Sequence, residues 1–205
     1  MSEHYFSKKP QSKSAPKTWN SELRGSSFSF TSDVGVFSKQ GIDFGTRLLI
    51  EHFKEPEIAG KLLDLGCGYG PIGIAIAHSY PKRHVVMADV NERAVSLAKE
   101  NAQQNGVENV ALVHSDSFTD LDDQFAAVIT NPPIRAGKKV VYKMFEESYS
   151  ALLEGGELWI VIQRKQGAPS AEKKLQQLFG DVQIVTRKKG YFIYRALKLD
   201  PTGVI

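Results

Sequence analysis

The regular alternation of strand-like and helix-like segments from Lys61 onward constrains the fold more than any other feature of this sequence. Short apolar runs, such as Phe125–Thr130, are separated by longer amphipathic segments, such as Glu92–Gln104. Chains with this pattern form βαβ units, in which a mostly parallel sheet is covered by helices on both faces. We therefore predict an α/β fold whose ligands bind outside the carboxyl ends of the strands.

The same pattern predicts the individual elements. Strands are expected at residues 62–65, 84–90, 110–114, 125–130 and 157–163, and a closing hairpin at residues 182–186 and 191–199. Helices are expected at residues 42–53, 72–80, 92–104, 140–153 and 170–179. Asn105-Gly106 and Gly155-Gly156 are predicted to end two of these helices, because glycine readily adopts the left-handed conformation found after a helix.

The N-terminal segment has a different composition. Residues 7–27 are rich in Ser, Lys, Pro and Gly, which predicts an irregular arm rather than a part of the core. Residues 28–31 alternate between apolar and polar side chains, and we expect a short strand there that forms a hairpin with Tyr5-Phe6. The chain is therefore divided into an N-terminal arm, residues 1–34, and one domain, residues 35–205.

Composition limits the class of protein. The 205 residues are 41% hydrophobic and 24% charged and contain no long apolar run, so we expect a cytoplasmic protein without a membrane span. The single cysteine excludes an internal disulfide, and the five histidines are scattered, so no metal site is predicted. The net charge of +3 permits nucleic acid as a partner without requiring it.

A glycine-rich turn follows the first predicted strand of the sheet, in the segment Asp64-Leu65-Gly66-Cys67-Gly68-Tyr69-Gly70-Pro71. Its spacing is G-x-G-x-G rather than the G-x-G-x-x-G of dinucleotide-binding proteins. The carboxylate of Asp64 would repel a pyrophosphate and attract a ligand with an ammonium or sulfonium charge. A purely structural strand-to-helix turn is the alternative.

Two more aspartates follow successive strands. Asp89 ends the second strand, where a carboxylate can accept hydrogen bonds from both ribose hydroxyls, and Asp116 follows the third strand, where it could accept from an adenine amino group. Each aspartate could instead cap a helix. The series of three at successive strand ends favours a nucleoside-containing ligand.

Asn131-Pro132-Pro133 closes the fourth strand. Two prolines fix the backbone and remove two N–H donors, and the first keeps Asn131 extended. The tripeptide is therefore expected to present a side-chain amide and carbonyls with no neighbouring N–H, which suits a substrate with an amino group. A plain Pro-rich turn is the alternative.

These features resemble the class I S-adenosylmethionine-dependent methyltransferases, from about residue 42 to the C-terminus. The resemblance implies a Rossmann-like fold with seven strands, the last one antiparallel, and S-adenosylmethionine as the cofactor. The glycine turn would hold the methionine part, Asp89 the ribose, and Asp116 with Ser115 the adenine. The positions that match the family's cofactor site are Asp64, Gly66, Cys67, Gly68, Asp89, Val90, Ser115, Asp116, Ser117, Asn131 and Thr46.

The longer string at residues 131–139, together with residues 35–38 and 43–46, resembles the methyltransferase-small family. Its best-known activity, the RsmC type, is methylation of guanine N2 in small-subunit ribosomal RNA. The resemblance implies Asn131, Pro132 and Pro133 as catalytic residues. Ile134 stands where related motifs carry an aromatic residue, and Phe37 is the candidate to replace that ring, with a core phenylalanine as the alternative.

Charged side chains near the predicted acceptor site suggest the substrate. Arg135 and Lys138 follow the Asn-Pro-Pro motif and suit phosphate contacts next to a flipped base. Residues 187–189 form a second basic cluster, for which a solvated surface is an equal alternative.

Two-domain relatives carry an extra degenerate copy of the domain, and this chain resembles the short, single-domain branch.

The sequence therefore predicts a monomeric S-adenosylmethionine-dependent methyltransferase that modifies a guanine N2 amine in small-subunit (16S) ribosomal RNA, free or within the subunit. One alternative is methylation of a glutamine amide in a ribosomal or release-factor protein, because the acceptor geometry is nearly the same. Another is a ribosome-assembly factor that binds the cofactor and RNA without turnover.

Overall fold

A computed structural model describes residues 13–38 and 41–199. The strands in these residues are Lys17–Leu23 (β1), Ser26–Ser32 (β2), Lys61–Leu65 (β3), Val85–Asp89 (β4), Val110–His114 (β5), Phe125–Thr130 (β6), Leu152–Gln163 (β7), Gly180–Lys188 (β8) and Tyr191–Lys198 (β9). The α-helices are Phe44–His52 (α1), Pro71–Ser79 (α2), Glu92–Gln104 (α3), Lys138–Ala151 (α4) and Ala168–Phe179 (α5). Short 3₁₀ helices lie at Ile134–Ala136 and Arg164–Gln166.

Seven strands form one sheet in the order β5-β4-β3-β6-β7-β9-β8. Strands β3 to β7 pair in parallel, and β9 runs antiparallel to both of its neighbours, β7 and β8. The predicted mostly parallel, seven-stranded α/β fold with an antiparallel last strand is thus confirmed. The carboxyl ends of β3, β4, β5, β6, β7 and β8 all lie at one edge of the sheet, where the chain turns into the predicted ligand-binding loops.

Two apolar clusters cover the two faces of this sheet. Helices α1, α2 and α3 pack on the first face with residues such as Leu49, Ile74 and Ala98, all 0–5% exposed. Helices α4 and α5 pack on the second face with residues such as Phe145 and Leu175. Because the central strands are buried on both faces, they are continuous apolar runs, as is typical of parallel sheets.

The N-terminal segment differs from the prediction. Strand β1 pairs antiparallel with β2, with Trp19 opposite Phe30, so residues 17–23 are regular rather than an irregular arm. The predicted partner of residues 28–31, Tyr5-Phe6, lies outside the described residues. Leu23, Phe28 and Phe30 are fully buried in the first apolar cluster. The hairpin therefore contributes directly to the core.

Two asparagines, Asn101 in α3 and Asn105 directly after it, join this hairpin to the helix that packs on the main sheet. Asn101 is fully buried, and its side chain both accepts from the Thr31 N–H at 2.8 Å and donates to the Thr31 carbonyl at 2.9 Å. Asn105 makes the same pair of bonds with the backbone of Ser29, at 2.9 and 2.8 Å. These side chains imitate a neighbouring strand and satisfy the outer backbone groups of β2.

Most predicted boundaries agree with the structure within a few residues, but one helix end was wrong. Helix α4 ends at Ala151, and Gly155-Gly156 lies inside β7 instead of following the helix. The pairing of β6 with β7 shifts register between Phe125 and Ala127. Gly155 has φ +75°, so the two glycines form an irregular start of the strand rather than a helix stop.

Candidate active site

The glycine turn between β3 and α2 is held against the end of β4 and leaves its outer surface open. The N–H groups of Gly66 and Cys67 both donate to the carbonyl of Ala88, at 2.8 and 3.0 Å. Gly66 and Gly68 have φ values of +74° and +57°, and a Cβ added to either would meet no atom within 4 Å. Bare backbone therefore faces the space beyond the carboxyl ends of the strands.

Asp64 lies beneath this turn. Its side chain is 0% exposed, and its Oδ2 accepts from the Gly73 N–H of α2 at 2.8 Å. Its Oδ1 is buried without a hydrogen-bond partner. Burial, with a smaller contribution from the charge of Asp89, raises the pKa of Asp64 to about 7. The attraction of a cationic cofactor by Asp64 stays a prediction. Oδ1 is the atom that could contact such a cofactor, because Oδ2 is bonded to Gly73.

Asp89 connects the end of β4 to the glycine turn. Its Oδ2 accepts from the Gly68 N–H and its Oδ1 from the Asn91 N–H, both at 2.8 Å. Burial raises the pKa of Asp89, while the two N–H groups and nearby His114 oppose the shift. His114 also bonds to the carbonyl of Val90 at 2.9 Å. The carboxylate and its neighbour Val90 thus lie at the end of β4, and their contact with a ribose stays a prediction.

The loop after β5 holds the three residues predicted near the adenine. Ser115 is buried, and its hydroxyl donates to the Ser117 carbonyl at 2.9 Å. The Ser117 hydroxyl points to α4, where it donates to Glu147 Oε2 at 2.6 Å. Asp116 is exposed. Because both hydroxyls donate within the protein, either serine side chain would meet a cofactor as an acceptor.

Asn131 follows β6 and makes a hydrogen bond across the sheet edge to α1. Its Nδ2 donates to Thr46 Oγ1 at 2.9 Å. Thr46 is buried in the first turn of α1, which Asp43 caps by accepting from the N–H groups of Gly45 and Thr46. No bond within residues 13–38 and 41–199 uses Asn131 Oδ1. The structure therefore makes Thr46 a partner of Asn131, with the amide oxygen left as an acceptor.

The two prolines form a tight turn that differs from the prediction. Pro133 has φ −75° and ψ +77°, an inverse γ-turn, and the Ile134 N–H donates to the Pro132 carbonyl at 2.8 Å. The expectation that these carbonyls lack a neighbouring N–H was wrong, because the chain folds back at once after the second proline. A carbonyl oxygen has two lone pairs, so Pro132 can still accept one more bond.

The predicted substrate residues lie on different parts of the edge. Ile134 is half-buried and packs against the second apolar cluster, while Arg135 and Lys138 are exposed. Phe37 is 41% exposed. Its segment is tied to the beginning of α3 by Asn91, whose Nδ2 donates to the Gly35 carbonyl at 2.8 Å. Phe37 thus belongs to the half of the edge that contains Asp89.

The family model that describes the methyltransferase small domain matches residues 27–195 of this chain. The chain belongs to the methyltransferase small domain family. Its match begins within β2, so it includes one strand of the N-terminal hairpin.

Most of this chain is similar in sequence or structure to individual known proteins. It is 57% identical to the uncharacterized protein YbxB of Bacillus subtilis, over 97% of this chain and 100% of YbxB. It is 27% identical to the ribosomal RNA large subunit methyltransferase G of Klebsiella pneumoniae, over 93% of this chain and 52% of that protein. The T. thermophilus 16S rRNA N2 methyltransferase RsmC, solved with AdoMet and guanosine, superposes with a TM-score of 0.79 at 25% identity, over 92% of this chain and 52% of that chain. The chain spans about half the length of both methyltransferases.

Methyltransferase small domain proteins are class I methyltransferases and use S-adenosylmethionine, and the residues at the glycine turn fit this cofactor. The open space over Gly66 and Gly68 provides a backbone surface, and Asp89 provides a carboxylate at the strand end. Two carboxyl oxygens nearby, Asp64 Oδ1 and Asp43 Oδ2, are buried without partners. Unpartnered carboxyl oxygens suit a ligand that carries an ammonium group and a sulfonium. Cys67 is buried, so only its backbone is available to such a ligand.

Several residues of the site were not found from the sequence. Phe44 at the start of α1 and Tyr191 at the start of β9 form a ring contact with centroids 5.5 Å apart, near the Thr46–Asn131 bond. Gly45 permits this contact, because a Cβ there would lie 2.8 Å from the Tyr191 ring. The signal in the sequence was the segment 43–46, but nothing in the sequence indicated Tyr191 as its partner.

Among residues 13–38 and 41–199, no group of three or more His, Cys, Asp or Glu side chains could hold a metal ion. In the same residues, none of the helices has both the length and the apolar character needed to cross a membrane.

Proposed function

We propose that this protein transfers a methyl group from S-adenosylmethionine to the exocyclic N2 amine of a guanine in small-subunit (16S) ribosomal RNA. The observation that carries the proposal is the amide of Asn131, whose Nδ2 is bonded to Thr46 and whose Oδ1 remains available beside the glycine turn. In the parallel pairing of β3 with β6, Ile129 lies opposite Asp64. The Thr130 hydroxyl donates to the Leu65 carbonyl at 2.7 Å, so Asn131 and Gly66 directly follow two residues that are in contact at the ends of β6 and β3.

The residues at this edge suit an amine whose lone pair is delocalised into a ring. Asn131 Oδ1 and the second lone pair of the Pro132 carbonyl can accept the two amine hydrogens, which orients the nitrogen and favours a more tetrahedral geometry. When bound, S-adenosylmethionine supplies a methyl group activated by its sulfonium. The nitrogen would form the new N–C bond as the bond between the methyl carbon and the sulfonium sulfur breaks, which would release neutral S-adenosylhomocysteine, and the extra proton on nitrogen would leave to solvent. Positioning accounts for most of the acceleration, so no strong general base is needed.

Ribosomal RNA is proposed as the substrate from the relatives and from the charges near Asn131. The large-subunit and 16S relatives are both methyltransferases of ribosomal RNA, and the T. thermophilus structure contains guanosine. Arg135 and Lys138 are exposed next to the Pro-Pro turn, where they can contact phosphates. We place this reaction in the cytoplasm and expect a monomer.

The test is methyl transfer from labelled S-adenosylmethionine to unmodified 16S RNA, 30S subunits, 23S RNA and 50S subunits. We expect label in the small-subunit substrate, recovered as N2-methylguanosine after nuclease digestion. Asn131→Ala should lower kcat by about 10²- to 10³-fold, a much larger effect than its effect on the affinity for the cofactor, which is measured by calorimetry.

Four other results would contradict this proposal. Label in another nucleoside, or only in large-subunit RNA, would assign a different target. Label that stays in a ribosomal or release-factor protein after ribonuclease treatment would favour glutamine methylation. RNA binding with no label in any substrate would favour a non-catalytic assembly factor.

A further inference from the structure

Exposed basic side chains are concentrated at the carboxyl edge of the sheet beyond Asn131. They lie in the loop after β6, in the loop after β7 and in the turn between β8 and β9. We call them the basic edge, and its members are Arg135, Lys138, Lys139, Arg164, Lys165, Arg187, Lys188 and Lys189. These eight cations are more than twice the net charge of +3 of the whole chain.

Hydrogen bonds make the second and third of these loops one surface. The Arg164 N–H donates to the carbonyl of Gly190 at 2.8 Å, and Gln163 pairs with Tyr191 across the two strands. Lys189 Nζ lies 5.0 Å from the centre of the Phe44 ring. Phe44 is in α1, the helix whose Thr46 accepts the hydrogen bond from Asn131. The basic edge is thus continuous with the proposed acceptor site.

The positive charge of this surface is not neutralised by nearby carboxylates. Residues 131–139, 163–167 and 187–191 contain no Asp or Glu. Among the ion pairs that join described residues, none includes a member of the basic edge. The strand ends on the other side of Asn131 instead carry Asp64, Asp89 and Asp116. The edge is therefore acidic on its cofactor half and basic on its other half.

The distance between the acceptor site and the basic edge suits neighbouring nucleotides of one strand. Thr130 pairs with Ile160, so Arg164 lies three residues beyond the position level with Asn131. At the rise of a β-strand this is about 10 Å. An RNA strand whose target base reaches Asn131 would therefore place the phosphates on either side of that base over Arg164, Lys165 and Lys188.

We propose that the basic edge binds the phosphodiester backbone of the RNA that flanks the target nucleotide, with Arg164, Lys165 and Lys188 contacting phosphates. This inference rests on the proposed function only in taking RNA as the substrate. Such contacts fix the register of the strand without reading its sequence. Each one contributes to affinity through the release of condensed counterions, so it is measurable as salt dependence.

The experiment compares two double variants. Lys165→Gln with Lys188→Gln removes two exposed positive charges. Within residues 13–38 and 41–199, neither lysine makes an ion pair or lies over an aromatic ring. The control is Lys54→Gln with Lys82→Gln, two exposed lysines in the loops before β3 and β4, at the opposite edge of the sheet. Binding of transcribed 16S RNA is measured by filter retention over a range of KCl concentrations, and cofactor affinity by calorimetry.

We expect the first variant to bind 16S RNA about tenfold more weakly at low salt, with a salt slope shallower by about one for each lysine removed. The control should match the wild type, and both should bind S-adenosylmethionine normally. Equal salt slopes for the two variants would overturn the inference. So would loss of binding to phosphatidylserine vesicles with unchanged RNA binding, which would assign the surface to a membrane.

The two proposals can fail separately. A changed salt slope with no methyl transfer to RNA by the wild type would refute the guanine activity and support the RNA surface. Methyl transfer to guanine N2 with equal salt slopes would support the activity and refute the surface.

Discussion

The side-chain amide of Asn131 can present either its oxygen or its nitrogen to a substrate, and these groups have opposite hydrogen-bonding roles. In the structure Nδ2 donates to Thr46 Oγ1 at 2.9 Å, which leaves the oxygen for the substrate. Thr46 itself is held in place because Asp43 caps the first turn of α1. A helix cap on one element therefore helps to position the side chain of another element at the acceptor site.

Removing the hydroxyl of Thr46 tests this orientation. Thr46→Val keeps the shape of the side chain but removes the acceptor, so we expect kcat for methyl transfer to fall about tenfold, the cost of one neutral hydrogen bond. The KM for S-adenosylmethionine should change little. Thr46→Ser keeps the hydroxyl and should retain nearly full activity. Equal losses in the two variants would show that Thr46 acts through packing.

The carboxyl group of Asp64 gives stability a specific pH dependence. Its pKa is raised from 3.8 to about 7 by burial, so between these values the folded state holds a proton that the unfolded state has lost. Stability then falls as pH rises through this window, by up to about 1.4 kcal/mol per pH unit. Because Asp64→Asn does not titrate, its free energy of unfolding should rise relative to the wild type from pH 4 to pH 7. Urea unfolding at several pH values measures this difference, and parallel curves would contradict it.

At the scale of elements, the central strands from β3 onward could be predicted because their apolar runs are buried on both faces of the sheet. The helices could be predicted because their apolar residues recur with the helical period. Strand β1 could not. Its outward positions are polar, and its inward residues Trp19, Ser21 and Leu23 include a serine, so no alternation of apolar residues was visible. Gly155-Gly156 was misassigned because glycine is equally compatible with a helix end and an irregular strand start.

The contact of α2 with the sheet depends on one glycine. A Cβ on Gly73 would lie 2.6 Å from Met87 Cγ and 3.0 Å from Asp64 Oδ2. We expect Gly73→Ala to lower the free energy of unfolding by about 1–3 kcal/mol, because overpacking outweighs the roughly 1 kcal/mol that alanine gains in a helix. Urea denaturation measures this change. Ser96→Ala, on the exposed side of α3, is the control and should be nearly neutral. An increased free energy of unfolding for Gly73→Ala would contradict this prediction, because it would show that Met87 moves aside at little cost.

At the scale of the whole molecule, the N-terminal hairpin belongs to the packing of the main sheet. The division at residues 34 and 35 stays a prediction, yet Phe28 and Phe30 are buried among residues of α1, α2 and α3. Asn101 and Asn105 bond to the β2 backbone from α3. An independent arm would have neither feature.

Truncating one hairpin side chain tests this dependence. Phe30→Ala should cost about 3–5 kcal/mol of stability, since the ring is fully buried and the cavity cannot collapse entirely. Ser27→Ala, on the exposed side of the same strand, should change little. Both are measured by urea unfolding monitored by circular dichroism, to which the helices and the seven-stranded sheet contribute most of the signal. Equal midpoints for the two variants would mean that the arm is separable.

The two halves of the candidate site differ in how far the sequence could predict them. The glycine turn, Asp89 and Asp116 follow successive strands, so their meeting at one edge could be inferred from the βαβ pattern alone. Thr46 and Asn131 are 85 residues apart, and the loops of the basic edge become neighbours only because β9 lies between β7 and β8. That strand order depends on pairing that no local pattern specifies.

The position of β3 inside the sheet, between β4 and β6, also has a consequence for how the protein is made. Strands β4 and β5 are added on one side of β3, and only afterwards does the chain cross to the other side to form β6, β7, β8 and β9. Chains are synthesised from the N-terminus to the C-terminus. A nascent chain that has reached His114 already contains the glycine turn and Asp89, but it still lacks Asn131 and every lysine of the basic edge. The parts that would hold the methyl donor are thus synthesised before those that would hold the acceptor.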